Sequence, residues 1–142
     1  MIKNIDESKA YFTRDKYATD ATGIEIENVA DGYSLVRLTL GERHLNAGGT
    51  IMGGVYYTMA DFAFGVAANF NRPGTVTLDS QITFLTPAIG RELFAEAKVI
   101  RDGEHTCCYE VRVYDDQGTK CAYSVMNGFK IGVVRKSKDK KQ

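Results

Sequence analysis

The stretch GGVYYTMADFAFGVAANFN, residues 53–71, decides the fold of this chain. Its length and its content of alanine, methionine and phenylalanine predict a helix that begins at Gly53 or Gly54. The helix should end near residues 69–71, just before a Pro-Gly pair. Because the stretch is apolar nearly all round, we expect this helix to be buried in the centre of the molecule.

Four segments after this helix alternate between apolar and polar residues, namely 75–87, 91–101, 105–115 and 120–131. Two of the turns between them carry glycine after aspartate or glutamine, and an earlier Asp-Gly pair indicates a hairpin before the helix. Repeated alternation with period two is typical of an antiparallel sheet with one buried face. The simplest architecture is therefore α+β, with one long antiparallel sheet wrapped around one central helix.

The alternation also predicts which side chains share a face of each strand. In the first segment we expect one apolar face made of Val76, Leu78, Ile82 and Phe84. In the last segment we expect one side made of Cys121, Tyr123, Val125 and Phe129.

Length and charge indicate one globular domain with a basic end. The chain has 142 residues, 44% of them hydrophobic, and 18 basic residues balance 18 acidic ones. A zero net charge argues against a general nucleic-acid-binding protein. We expect a single domain over residues 1–134 and a flexible basic tail over 135–142. The tail is either a solvated end or a landing place for phosphates.

Cysteine usage and hydropathy favour a cytoplasmic protein. The three cysteines are an odd number without the spacing of metal ligands, so a reducing compartment is the simpler expectation. The first ten residues lack the apolar core of a signal peptide, and no run of 18 apolar residues predicts a membrane span.

Asp61 is the residue that folding alone does not explain. It is the only residue with a formal charge between His44 and Asn71, and it lies in the middle of the apolar helix. Aspartate is unfavourable in a helix interior and is seldom buried without partners. On a helix it shares one face with small residues, which are Gly54, Thr58, Gly65 and Ala68. This stripe indicates either a close subunit contact, in which Asp61 binds backbone amides, or a catalytic or ligand-binding site.

The approach to the helix is rich in glycine, with Gly48, Gly49, Gly53 and Gly54 inside seven residues. A glycine-rich entry leaves backbone N–H groups free at a helix N-terminus, where they attract negative charge. Such a site suits a phosphate or the oxyanion of an attacked carbonyl. The spacing matches no nucleotide-binding loop. An oxyanion site and a carboxylate on one helix suit hydrolysis of an activated acyl group.

The motif N-x-x-G-x-x-x-G-G-x-x-x-x-x-x-D, formed by Asn46, Gly49, Gly53, Gly54 and Asp61, resembles the hotdog-fold acyl-CoA thioesterases of the phenylacetate-degradation (PaaI-like) type. The resemblance extends over residues 20–131. It implies a hotdog fold, an acyl-CoA substrate, and homodimers or homotetramers whose active sites lie at subunit interfaces. Charge, hydropathy and the chemistry of hydrolysis lead us to expect no metal, no cofactor, no nucleic acid and no membrane partner.

The resemblance also implies roles for single residues. Asp61 matches the catalytic carboxylate, as general base or as nucleophile, and Gly53 matches the glycine whose N–H polarises the thioester carbonyl. Asn46 matches an asparagine beside that carbonyl or the attacking water, and Thr77 matches a hydroxyl residue that orients water from the facing subunit. Four further residues are expected to contact substrate, namely Met52, Gly54, Tyr57 and Thr58.

Two departures from the family pattern stand out. Met52 occupies the position where the family usually has histidine, and methionine cannot carry a proton. The hairpin at residues 102–105 lacks the basic residue that family members often place near the CoA phosphates, so His105, Lys130 or the tail would have to replace it. Otherwise, we expect both His44 and His105 to be structural or surface residues.

Two other functions remain open from the sequence. A non-catalytic acyl-CoA-binding hotdog module is the first alternative, and Met52 is the residue that favours it. A hotdog dehydratase acting on hydroxyacyl thioesters is the second alternative. It ranks lower because that chemistry needs a histidine, and His44 is the only candidate upstream of the helix.

Overall fold

The computed structural model describes residues 1–140, apart from the side chains of residues 134–137. The helical elements are α1 (Ile5–Phe12), a π-helical turn (Tyr17–Thr22), a 3-10 turn (Glu42–His44), α2 (Gly53–Asn69) and α3 (Ile131–Asp139). The strands are β1 (Glu25–Ala30), β2 (Tyr33–Thr39), β3 (Val76–Phe84), β4 (Glu92–Asp102), β5 (Thr106–Asp115) and β6 (Lys120–Phe129).

All six strands form one sheet in the order β1-β2-β4-β5-β6-β3, and every neighbouring pair is antiparallel. Helix α2 contacts each of the six strands. The predicted α+β fold, a long antiparallel sheet around one central helix, is therefore confirmed. This arrangement buries one face of the sheet against α2, which explains the repeated period-two pattern in the sequence.

Helix α2 begins at Gly53 and ends at Asn69, within the bounds predicted from composition. Its sheet-facing residues Met59, Ala63 and Val66 are completely buried. The ring of Phe64 meets that of Tyr109 on β5 edge to face, with 5.4 Å between centroids. Aromatic and aliphatic packing thus fixes the rotation of α2 and leaves Asp61 on the side away from the centre of the sheet.

The predicted apolar face of β3 is wrong at Val76 and Leu78, both of which are exposed. The register between β3 and β6 slips between Thr77 and Asp79, so Leu78 is the extra residue of a β-bulge. A bulge breaks the alternation of side chains. Thr77 therefore shares the helix-facing side with Ile82, although simple alternation places them on opposite sides.

The predicted side of β6 holds for Tyr123, Val125 and Phe129, but it faces away from α2, and a register slip at Cys121 removes that residue from it. The buried residues on the helix side include Ser124, Met126 and Gly128, whereas Tyr123, Val125 and Phe129 are only half-buried. The reason is close packing, because a Cβ at Gly128 would lie 2.7 Å from Phe64 Cζ and 2.8 Å from Cys107 Sγ. The inner face therefore admits only glycine at position 128, where Phe64 and Cys107 approach most closely.

The N-terminal segment packs beside α2. The ring of Phe12 on α1 meets that of Phe62 on α2, 5.6 Å between centroids, and Gly23 ends the π-helical turn with a positive φ of 94°. Helix α3 runs across residue 134, where the charge pattern predicted that a flexible tail begins. Residues 141–142 of that tail lie outside the described residues. Among residues 1–140, no helix has the length and apolarity needed to cross a membrane.

Candidate active site

Asp61 lines a cleft of about 770 Å³ between the N-terminal segment, α2 and the start of β3. Its carboxylate is exposed to this cleft, and Oδ1 accepts a hydrogen bond of 2.8 Å from the Thr77 hydroxyl. Several of the other cleft-lining side chains are aromatic, including Tyr11, Tyr17, Tyr57 and Phe64. The structure therefore places an accessible carboxylate, held by one hydroxyl, in a cleft with aromatic walls.

Thr77 reaches Asp61 because of the bulge at Leu78. The bulge turns the Thr77 side chain toward α2 in spite of the outward-facing residues on either side of it. The resemblance implied that Thr77 would come from the facing subunit, whereas the structure joins Thr77 and Asp61 within one chain.

Gly53 is the first residue of α2, and its N–H lies at the open end of the helix. Met52 before it provides no side-chain cap, and no acceptor for the N–H of Gly53 or Gly54 is found within residues 1–140. The Phe84 ring packs against Gly53, 3.2 Å from where a Cβ would stand. Gly53 and Phe84 line a second, smaller apolar pocket of about 240 Å³. A free N–H at a helix start is the arrangement that stabilises an oxyanion.

One chain alone does not bring Asp61 and Gly53 together. They are eight residues apart on the same helix, which separates them by ~12 Å along its axis. They also line different pockets. A reacting carbonyl needs both groups within ~3 Å, so any site that uses both must combine Asp61 of one chain with Gly53 of another.

Asn46 organises the loop that leads into α2. Its Oδ1 accepts the N–H groups of Gly48 and Thr50 at 3.0 and 3.1 Å, and its Nδ2 donates to the Thr50 hydroxyl at 3.0 Å. The oxygen of the amide is thus used within the loop, and one N–H of Nδ2 is left to face a substrate or water.

The four predicted substrate-binding residues lie on the exposed side of α2 in two groups. Met52 is 56% exposed, and its Cε lies 3.6 Å from where a Cβ on Gly54 would stand, near the helix start. Tyr57 and Thr58 line the Asp61 cleft one turn further on. The Tyr57 hydroxyl pairs with that of Ser80, and Thr58 donates to the Gly54 carbonyl. Met52 and Gly54 therefore lie near Gly53, whereas Tyr57 and Thr58 lie near Asp61.

Neither histidine lies at the Asp61 cleft. His44 is buried, and both of its ring nitrogens are hydrogen-bonded to backbone groups. His105 is exposed on the hairpin between β4 and β5. A group of three or more His, Cys, Asp or Glu side chains fit to hold a metal ion is not found in residues 1–140.

Lys130 is not free to bind a phosphate. From the sequence it was one of three possible replacements for the basic residue that family members often place near the CoA phosphates. It is buried, and its Nζ lies 2.5 Å from Asp102 Oδ1 and donates to the Gly103 carbonyl. Arg72 binds the same carboxylate at 3.0 Å. Partial burial acts to raise the pKa of Asp102, but the hydrogen bonds from Lys130 and Arg72 outweigh it and hold that pKa below its usual value. The cations near this hairpin therefore stabilise the hairpin itself.

Two contributors to the site were not predicted. Phe84 packs on Gly53, and the N-terminal residues Tyr11 and Tyr17 form one wall of the Asp61 cleft. For Phe84 the sequence offered only its place near the end of the alternating segment 75–87. The N-terminal residues carry only a weak helical pattern, which does not reveal what they pack against.

Comparison with known proteins identifies the family of this chain. Residues 48–122 match the model of the thioesterase superfamily. The acyl-coenzyme A thioesterase PaaI of Escherichia coli K12 is 30% identical over 113 residues, covering 79% of this chain and 81% of that protein.

Solved structures give the same result. The E. coli PaaI protein from the phenylacetic acid degradation operon superposes with a TM-score of 0.80 at 27% identity, over 87% of this chain and 91% of that one. A variant of the phenylacetic acid degradation protein PaaI of Thermus thermophilus superposes with a TM-score of 0.73 at 28% identity, over 79% and 96%. The chain therefore belongs to the thioesterase superfamily, as a hotdog-fold thioester hydrolase of the PaaI-like acyl-CoA thioesterase family.

Proposed function

We propose that this protein hydrolyses an acyl-CoA thioester and that Asp61 is its catalytic carboxylate. The observation that carries the proposal is the Asp61 carboxylate, exposed in a cleft of about 770 Å³ and bonded to the Thr77 hydroxyl. The name of the E. coli relative, an acyl-coenzyme A thioesterase, supports the substrate class. A lone carboxylate on an apolar helix is unfavourable for folding, so a role in chemistry explains its presence.

The proposed active site is shared by two chains that pair through β3. This strand is at the edge of the sheet, and its side chains Val76 and Leu78 are 48% and 59% exposed. An exposed apolar edge strand is a template for pairing with another strand. In a two-fold antiparallel pair, Thr77 of each chain faces Phe84 of the other, which brings Asp61 beside the partner's Gly53. Association of two such dimers would give the homotetramer that the resemblance implies.

In the proposed reaction, the Gly53 N–H of one chain donates a hydrogen bond to the thioester carbonyl oxygen. A water molecule attacks the carbonyl carbon while Asp61 of the other chain takes its proton, and the oxyanion is held by the Gly53 N–H. Collapse of this intermediate breaks the carbon–sulfur bond. The departing thiolate takes the proton from Asp61, so the products are a free acid and CoA thiol.

An alternative course gives Asp61 a covalent role. Its carboxylate attacks the carbonyl carbon and expels the thiolate, and water then hydrolyses the mixed anhydride. In both courses the Thr77 hydroxyl fixes Asp61 Oδ1, so that Oδ2 is free to act on the water or the carbonyl. After a single turnover in ¹⁸O-labelled water, label in Asp61 would establish the covalent course, because direct attack of water on the thioester cannot place it there.

The principal test measures thiol release from a panel of acyl-CoAs by the parent protein and the Asp61→Asn variant. We expect the variant to lose at least ~100-fold in kcat, because the amide is neither a base nor a nucleophile. Thr77→Ser retains the hydroxyl and serves as the matched control. Equal rates for parent and Asp61→Asn would contradict the mechanism.

The same panel separates the proposed enzyme from a non-catalytic binding module. The exposed Met52, which cannot donate a hydrogen bond or carry a proton, is the observation that favours the module. Tight binding of an acyl-CoA without thiol release over hours would support that alternative. We also propose a cytoplasmic location, supported by three cysteines that are all free thiols.

A further inference from the structure

His44 is the only buried residue of the loop region that precedes α2. Residues 41–50 are all described, and the other nine are half-buried or exposed, whereas His44 is 3% exposed. A segment so exposed has little apolar packing to hold it in place. Its position therefore depends on hydrogen bonds and on the one side chain that enters the protein.

The imidazole of His44 is fixed from two sides by backbone groups. Its Nδ1 accepts the N–H of Gly41 at 2.9 Å, so the ring proton is on Nε2, which donates to the Thr22 carbonyl at 2.7 Å. The ring is therefore neutral, and both of its nitrogens are used. No capacity is left for binding a substrate or moving a proton.

The backbone of His44 carries this anchoring to the start of α2. Its carbonyl accepts the N–H of Met52 at 2.9 Å, and Met52 directly precedes Gly53. Between them, Leu45 and Ile51 form an antiparallel bridge, so the two arms of the loop lie side by side. Any shift of the His44 backbone moves Met52 and, with it, the peptide N–H of Gly53.

The same ring also holds one wall of the Asp61 cleft. Thr22, its acceptor, is the last residue of the π-helical turn, and the first two residues of that turn, Tyr17 and Ala18, line the cleft. One buried imidazole thus joins the start of α2, which carries the Gly53 N–H, to the N-terminal wall of the same chain's Asp61 cleft. Each of these parts contributes to a different one of the two proposed sites.

We propose that His44 is a positioning residue that sets the Gly53 N–H at the place where the oxyanion develops. This inference rests on the proposed function, since the oxyanion site belongs to it. An oxyanion donor is effective only when its geometry is fixed before the reaction. A misplacement of 1 Å by a residue away from the chemistry costs up to ~100-fold in rate.

The test compares His44→Leu with His44→Gln. Leucine fills similar volume without polar atoms, whereas the glutamine amide offers one acceptor and one donor to the same two backbone groups. For His44→Leu we expect kcat to fall ~10- to 100-fold with KM within ~3-fold of the parent, because substrate binding is retained and transition-state stabilisation is lost. His44→Gln should recover most of the rate. Glu42→Leu, at an exposed position of the same 3-10 turn, is the matched control and should leave kcat unchanged.

A second measurement does not depend on activity. Hydrogen–deuterium exchange of the Met52 and Val55 amides, which donate to the carbonyls of His44 and Met52, should speed up in His44→Leu at a temperature well below its unfolding transition. The amides in the second half of α2 should stay protected. Unchanged exchange at these two amides would overturn the inference, as would a loss of rate in His44→Gln equal to that in His44→Leu. If the parent hydrolyses no acyl-CoA, the proposed function fails while the exchange result still decides whether His44 positions Gly53.

Discussion

Gly53 contributes a single peptide N–H to the proposed chemistry, and it does so from the first position of α2. Proline is well tolerated at this position because the N–H has no intrahelical acceptor. Met52 already has φ −62° and ψ 136°, which suits a residue before proline. Gly53→Pro should therefore delete the oxyanion donor without breaking the helix, and we expect kcat to fall ~100- to 1000-fold in a thiol-release assay.

Gly53→Ala is the control for this substitution. Both variants bring a Cβ close to the Phe84 ring, which can shift because it is half-exposed, but only alanine keeps the N–H. If the two variants lost activity equally, crowding at Phe84 would explain the loss and the N–H would have no role as an oxyanion donor.

Gly128 illustrates a residue whose role is purely packing. A Cβ there would lie within 3 Å of Phe64, Cys107 and Thr75, all inside the core. We expect Gly128→Ala to lower the free energy of unfolding by ~1–3 kcal/mol in urea denaturation, because a close-packed core must shift to admit the methyl group. Gly41→Ala is the control, since nothing lies within 4 Å of its Cβ position. A neutral Gly128→Ala would contradict the account given for the face of β6.

At the scale of elements, Asp115 connects the end of β5 to the loop between β3 and β4. One carboxylate oxygen accepts the N–H groups of Ile89 and Gly90 at 2.9 Å each, and the other accepts those of Gln117 and Thr119. Burial of Asp115 acts to raise its pKa, but these hydrogen bonds outweigh it and lower the pKa to about 2.

This depressed pKa predicts a pH dependence of stability. The contribution of Asp115 is complete above its unfolded value of 3.8 and is lost as the pH falls through about 2. We expect the free energy of unfolding of the parent to lose ~1–2 kcal/mol from this group over that window. Asp115→Asn should be less stable at pH 7, and the difference between the two proteins should shrink toward pH 2. A constant difference down to pH 2 would contradict the assignment.

The elements that could be predicted from the sequence are those with a strong, uninterrupted pattern. The bounds of α2 and the antiparallel sheet followed from composition and alternation, and the lone carboxylate pointed to Asp61. The faces of β3 and β6 could not be predicted in this way. The bulge at Leu78 leaves no mark in the alternation, and the inner face of β6 depends on the close approach of Phe64 to Gly128.

At the scale of the whole molecule, the proposed site is split because its two halves lie at opposite ends of the same elements. Thr77 and Phe84 are at the two ends of β3, as Asp61 and Gly53 are two turns apart on α2. The spacing of the motif identifies both halves of the site. It does not by itself indicate that the proposed site combines two chains, because that inference depends on the length of the helix and on which edge of the sheet is exposed.

Mixing two inactive variants tests this division directly. Asp61→Asn chains keep Gly53, and Gly53→Pro chains keep Asp61, so a mixed dimer contains one intact site and one site with both defects. After subunit exchange of equal amounts, about a quarter of all sites should be intact if chains pair at random, and thiol release should recover to about that fraction of the parent rate. The same variants assayed separately give the baseline. Recovery requires a site built from two chains, so a mixture no more active than its components would mean that Asp61 and Gly53 do not act together across a subunit interface.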